Sequence, residues 1–281
     1  MNTHNRLGAA LADRFEDAPA LNDLPATDEA LAFCANLAGR SSCRRFAENP
    51  VPKDMMRLLA ALALSAPSKS DLQQRDIIWP RDSTVQALKS LLNGQDWIAA
   101  APELLIFCGN NHRQRQMHAL WDRPFANDHL DAFFNASVDA GIALATAVMA
   151  AETLGLGCCP ISTIRNHGPE VRAVLGLPDH VFPVAALAVG WPQDARRTVS
   201  PRLPLSATFH EGRYEVPDFK SLLDAYDQSR LRKVPPKKQR ATEEFGLADA
   251  YRWSDDKTRQ YAQPERTGFG DYIRSIGFKL D

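Results

Sequence analysis

Residues 182–192 read FPVAALAVGWP. No side chain in this run is polar, and Pro and Gly punctuate its ends. A continuous apolar run of this length reads as a strand buried on both faces, inside a sheet. Working outward, APELLIFCGN (101–110) is a second buried strand and DIIWP (76–80) a third. GLGCCPIS (155–162) passes from a helix C-cap into a fourth. Helical periodicity fills the gaps. Thr27 or Asp28 can cap a helix through EALAFCANLAG (29–39). Pro52 suits the first turn of a helix in which Met55, Leu58, Leu59 and Leu62 recur. A helix over 82–95 ends near Gly94, and PEVRAVLGL (169–177) is a short one. A long helix is expected from about His129 to Leu156. Its middle, VDAGIALATAVMAA (138–151), is apolar all round and predicts burial on every face. Residues 111–128 read as a polar and aromatic loop insertion; Met117, Trp121 and Phe125 either pack it down or form a lid. Mixed strands and helices argue for an α+β fold, one domain with two appended arms. The expected division is an extension at 1–28, a main domain at 29–214 and a C-terminal arm at 215–281.

Composition narrows the function. The 281 residues are 44% apolar and 24% charged, enough for a sizeable core. A net charge of −1 gives no whole-protein field for nucleic acid or an anionic membrane, so any anion site is local. The five cysteines are odd in number and form no CxxC, which reads as reduced thiols. The N-terminus lacks a signal-peptide pattern, and the longest uncharged apolar run (140–151) falls short of the ~20 residues of a membrane span. A soluble, cytoplasmic protein is expected. His112 and His118 have no ligand-like partners, so no metal site is expected. GxSxG, GxGxxG and GxxxxGK[ST] are absent, which removes the anchors of a hydrolase triad, a Rossmann site and a P-loop.

Phosphate-type donors recur instead. GRSSCRRF (39–46) sets Arg40, Ser42 and Arg44 at every second position, on one side of the chain if it is extended. Guanidinium forks and hydroxyls suit a phosphate. Arg202 sits between prolines in SPRLPLS, Ser68, Lys69 and Ser70 follow a helix, and Gln95 follows Gly94. SRLRKVPPKKQR (229–240) carries six basic residues and no acid.

The order RSSCRRF, APSKSDLQQ, GLGCCPISTIRN, FPVAALAVGWP, then PRLPLSATFHEGRY and a long arm bearing WSD resembles the nitroreductase family of FMN-dependent flavoproteins, from about residue 29 to 281. It is most similar to the NADPH-preferring branch of oxygen-insensitive nitroreductases and NADPH–flavin oxidoreductases. The resemblance implies a three-layer α+β fold, a central mixed or antiparallel sheet flanked by helices, and a homodimer whose arm packs on the partner. It implies that Arg40, Ser42 and Arg44 grip FMN, with Arg45 outside the clamp. Ser68, Lys69 and Ser70 would reach a flavin across the dimer interface, with Asp71 where many members carry Asn. Gln95 would meet the ring or ribityl chain. Pro160, Ile161, Ser162 and Thr163 would lie under the ring, with Ser-Thr where Gly-Gly is usual. Arg202 would bind phosphate, and Ser200 stands where the branch has Lys, a missing cation for which Lys69 or Arg197 could compensate. The 229–240 run would clamp the 2′-phosphate of NADPH. No indispensable catalytic side chain is implied, since the flavin carries the hydride between NADPH and a nitroaromatic, quinone or flavin acceptor. Other readings stay open: a dehalogenase or biosynthetic dehydrogenase of the same family, a flavin-binding protein without turnover, or an RNA-binding module built on 229–240.

Overall fold

A computed structural model of the chain describes residues 2–21, 25–194 and 198–281; Arg197 lies outside them. Helices α1 (Thr3–Arg14), α2 (Asp28–Ala38) and α3 (Lys53–Leu64) precede β1 (Arg75–Ile78). Next come α4 (Asp82–Leu91), the single turn α5 (Asp96–Ala99), β2 (Glu103–Asn110), α6 (His112–Leu120), α7 (Leu130–Thr153) and β3 (Gly157–Ile161). Then α8 (Gly168–Leu175) and β4 (Val181–Gly190) lead to α9 (Leu205–Thr208), α10 (Phe219–Lys233), α11 (Thr242–Phe245), α12 (Trp253–Tyr261) and α13 (Phe269–Ser275). The chain forms two compact units, one of residues 42–195 and 266–281, the other of 1–41 and 196–265.

The larger unit is a sheet between helices. Its strand order is β1-β2-β4-β3, antiparallel throughout. The two longest apolar runs, in β2 and β4, take the centre, where both faces are covered. Side chains alternate between faces. Leu105, Phe107, Leu187 and Val189 meet α3 and α7 through Leu59, Ala63, Ala147 and Ala151. Leu104, Ile106, Ala186 and Ala188 meet α4 and α8 through Leu88 and Val171. The three-layer α+β fold expected from the sequence is present.

Two expectations need correction. Helix α7 is not buried on every face. Its alanines at 132, 136, 140, 143, 147 and 151 bury one stripe, while Phe134 and Val138 on another are 60% and 39% exposed. Small residues let the buried stripe approach the sheet closely, and the apolar remainder faces outward. Residues 111–128 are not simply a loop, because His112–Leu120 is helical. Its residues lack an apolar stripe, which is why periodicity did not reveal it. Leu120 and Trp121 stand exposed at its end.

The last residues of the chain belong to this unit. Tyr272, Ile273, Ile276 and Phe278 pack on Ala132, Ala136 and Phe182. In the smaller unit, α1 packs on α2 through Leu7, Leu31 and Ala35. Thr27 caps α2, its hydroxyl accepting the Ala30 N–H at 3.3 Å. Buried Asp227 of α10 caps α12 by accepting the Ser254 N–H at 3.0 Å, and Tyr226 meets Trp253 edge-on at 5.0 Å.

Candidate functional site

In the larger unit, β3 is an edge strand, and residues 42–47 cover part of its open side. Cys43 N–H donates to Cys158 O at 2.9 Å, Gln193 N–H to Arg45 O at 3.0 Å and Ala47 N–H to Trp191 O at 2.8 Å. Gly157 permits the approach, since a Cβ there would come within 2.6 Å of Cys43 Sγ. With Cys43 turned to the strand, Ser42 and Arg44 face the other way. The Arg44 guanidinium lies over the Trp97 ring, 5.6 Å from its centroid. Trp97 Nε1 donates to Gln95 Oε1 at 2.8 Å. One indole thus joins two predicted residues, Arg44 and Gln95, that are far apart in sequence. Arg45, placed outside the clamp, pairs with Asp194.

Beyond β3 the chain turns at the predicted 160–163 segment. Pro160 and Ser162 are exposed, and Ile161 is buried in the core. Ser162 has φ −84° and ψ −20°, and Thr163 opens a short 3-10 helix to His167. Neither residue is left-handed. The turn therefore needs no glycine, and Ser-Thr costs nothing in backbone strain. Amides at the start of such a turn lie outside the helix's own ladder.

Ser68, Lys69 and Ser70 lie elsewhere, in the loop that enters β1. In the order β1-β2-β4-β3 this loop is three strand spacings from β3, about 14 Å. Ser70, Asp71 and Gln73 all have positive φ, at 52°, 54° and 52°. Ser68 Oγ accepts the Gln73 N–H at 3.1 Å. Asp139, fully buried on α7, accepts the Lys69 N–H at 3.0 Å and the Gln74 N–H at 2.9 Å. Buried Arg75 stands 3.8 Å from the same carboxylate and donates to the carbonyls of Leu64 and Ala66 at 2.9 and 2.6 Å. Sequence reasoning missed Asp139 and Trp97. A lone acid inside VDAGIALAT was the available signal for the first; nothing marked the second.

Arg40 and Arg202 belong to the smaller unit. Arg40 O accepts from Arg14 Nη2 at 2.6 Å, and Arg202 N–H donates to Arg14 O at 2.8 Å. Arg202 is exposed, and its Nη1 donates to Ser200 O at 3.0 Å. In the same unit the basic run borders a cavity of about 750 Å³ lined by Arg230, Lys237, Lys238, Arg240 and Lys257. Asp256 neutralises part of that charge, pairing with Arg240 at 3.0 Å and Lys257 at 2.7 Å.

This donor set suits a phosphorylated, planar, hydrogen-bonding ligand. It offers guanidinium forks, an Arg over a Trp ring and a primary amide. Among the described residues no cluster of metal-ligating side chains occurs.

Comparison with known proteins agrees. Residues 37–191 match the Nitroreductase family, and residues 200–281 match the Nitroreductase family, C-terminal domain. The chain is 36% identical over 197 residues to an FMN reductase [NAD(P)H] of Bacillus subtilis (strain 168), covering 69% of this chain and 79% of that protein. It is 36% identical over 193 residues to an oxygen-insensitive NADPH nitroreductase of Salmonella typhimurium, covering 68% and 78%. Among solved structures, NfrA2 of B. megaterium superposes with a TM-score of 0.79 at 32% identity, covering 89% of this chain and 98% of that one.

Proposed function

Because this chain belongs to the nitroreductase family, we propose an assignment of its parts to one reaction. The protein is an FMN-dependent NAD(P)H oxidoreductase. The observation that carries the assignment is the Arg44–Trp97–Gln95 chain, in which Trp97 packs on the same core cluster as Ile161 of the 160–163 turn. Bound FMN supplies a ring that accepts hydride from NAD(P)H and passes it on, chemistry no side chain here provides.

The residues hold and tune. Arg40, Ser42 and Arg202 bind the phosphate end. Arg44, held over Trp97, and Gln95 would donate to the polar edge of the ring, where fixed donors stabilise negative charge. Pro160, Ile161, Ser162 and Thr163 would present their turn to the ring, with Ile161 anchoring the turn in the core. Lys237 and Lys238 hold the 2′-phosphate of NADPH. No side chain is assigned a proton transfer. The acceptor is a small molecule, a nitroaromatic, quinone or flavin.

The assembly is a homodimer. Ser68, Lys69 and Ser70 serve the flavin of a second copy, because the ~14 Å across the sheet keeps them from the β3 side of their own chain. The exposed apolar stripe of α3 and α7, with Leu58, Leu62, Phe134 and Val138, supports such an interface. On this reading 29–214 is the flavin-binding part and the arm 215–281 extends over the partner, with α13 anchored on its own chain. Five free cysteines support a cytoplasmic location. Helix α7 is long and apolar enough to cross a membrane, yet its alanine stripe is occupied by the sheet.

The test is a visible spectrum of the purified protein, repeated without oxygen after adding NADPH or NADH. Bound flavin that bleaches faster with NADPH is expected. A protein that holds FMN but does not bleach with either donor would be a flavin carrier, not an oxidoreductase.

A further inference from the structure

Arg14 ends α1, in the segment ahead of the family match. Its side chain is only 6% exposed. Nε and Nη2 donate to Ala38 O at 3.0 and 2.7 Å, Nη2 also to Arg40 O at 2.6 Å, and Nη1 to Ser200 O at 2.9 Å. Its own carbonyl accepts the Arg202 N–H at 2.8 Å. One residue therefore ties together the two strands of chain that carry Arg40 and Arg202.

We propose that Arg14 is a positioning residue for the phosphate of the flavin. It fixes the spacing of Arg40 and Arg202 and supplies the positive charge that Ser200 lacks. The inference rests on the assignment of Arg40 and Arg202 to that phosphate.

Three physical points carry it. A planar fork of five donors suits several fixed acceptors at once, which an ammonium does not match. Ala38 ends α2, where carbonyls lack intrahelical donors and the helix end is negative, so a cation is held firmly there. Above all, two guanidinium groups converge on one oxygen, because Arg202 Nη1 also donates to Ser200 O at 3.0 Å. Like charges brought this close repel, and an anion beside them relieves the repulsion.

The surrounding segment braces the arrangement. Asp17 accepts the N–H groups of Leu205 and Ser206 at 2.7 and 2.9 Å. Lys233 donates to Ala12 O at 2.9 Å. Phe15 and Arg202 line a cavity of about 620 Å³ beside Ser200.

The experiment compares FMN with riboflavin, which lacks the phosphate. Holoprotein is diluted, released flavin is read by its fluorescence, and the same is done after loading with riboflavin. Wild type, R14A and R14K are measured, with far-UV circular dichroism to establish folding. Losing a charged hydrogen-bonding group implies that R14A releases FMN at least about 10-fold more readily. Riboflavin affinity should change less than about twofold, and R14K should lie between wild type and R14A for FMN. An unchanged FMN-to-riboflavin ratio in both variants overturns the role of Arg14, whether neither flavin is affected or both weaken together. If R14A does not fold, the ratio in R14K decides. A wild type that binds both flavins equally overturns the phosphate assignment itself, and this inference with it.

Discussion

Replacing Asp139 by Asn tests the physical reason the 68–74 loop holds its shape. Ser70, Asp71 and Gln73 each sit in the left-handed region, at roughly 1 kcal/mol apiece, so the loop carries about 3 kcal/mol of backbone strain. Asp139 offsets it with two charge-assisted hydrogen bonds to backbone N–H groups, together worth about 3–6 kcal/mol. Asn can accept only one of them, and its NH2 then faces the other donor. Arg75, 5% exposed, also loses its ionic partner at 3.8 Å. Removing one member of a buried pair costs about 3–5 kcal/mol. These losses overlap, so D139N should lose about 4 kcal/mol, a fall in Tm of roughly 10 °C for a protein of this size. The assay is thermal unfolding of D139N, R75M and the double variant, with flavin affinity measured alongside. Coupling above about 1 kcal/mol is expected in the cycle, because the two residues touch. A D139N protein that melts within about 2 °C of wild type, with unchanged flavin affinity, would refute the reasoning.

Removing the ring in W97A strips the support from Arg44 and Gln95; flavin affinity should fall about 5-fold, consistent with a cation–π contact of about 1 kcal/mol. W97F, which keeps a ring but not the N–H, should fall between in the same titration. S162G should not improve flavin binding, since Ser162 already has an ordinary φ of −84°, and should cost about 0.5–1 kcal/mol in a denaturant titration through the freer unfolded chain. Hydrogen bonds from Arg115 and Lys279 outweigh burial and hold the Asp128 carboxyl at about 2, below its ordinary 3.8. Its stabilisation is therefore present above pH 4 and disappears as pH falls from 4 to 2. Screened by solvent, it amounts to about 1 kcal/mol, and Tm measured across that window should fall less steeply in D128N. Finally, R44A protomers mixed and reassembled with S68A/K69A protomers should recover about a quarter of wild-type activity. Half the symmetric dimers are hybrids, each with one intact site; no recovery would place both sets of residues on one chain's flavin.

The central strands were legible because burial on both faces leaves a run such as FPVAALAVGWP no polar position. Helix α6 was not, because HRQRQMHAL has no apolar stripe and its helicity comes from its position between β2 and α7. Helix α7 was legible as a helix but not in its exposure. An all-apolar surface looks the same to a sequence whether the sheet or a second copy covers it, so only the structure separated the alanine stripe from Phe134 and Val138. The Ser162-Thr163 turn shows the reverse case. Ser and Thr adopt left-handed backbone less readily than glycine, and neither residue has positive φ.

Site residues divide along the same line. Arg40, Ser42 and Arg44 announced themselves by their donors and their spacing of two, the pattern that the proposed phosphate contact calls for. Asp139, Trp97 and Arg14 act on the donors from behind. Nothing local constrains Asp139 or Arg14, since their partners are 65 or 70 residues away for Asp139 and up to 186 for Arg14. What Asp139 and Arg14 share is a polar group brought out of water against fixed backbone partners, a costly placement unless every hydrogen bond is made. That cost explains why the supports are rigid. It also predicts where the site is fragile: conservative changes at Asp139 or Arg14 should disturb flavin binding more than the loss of a single exposed donor such as Ser42.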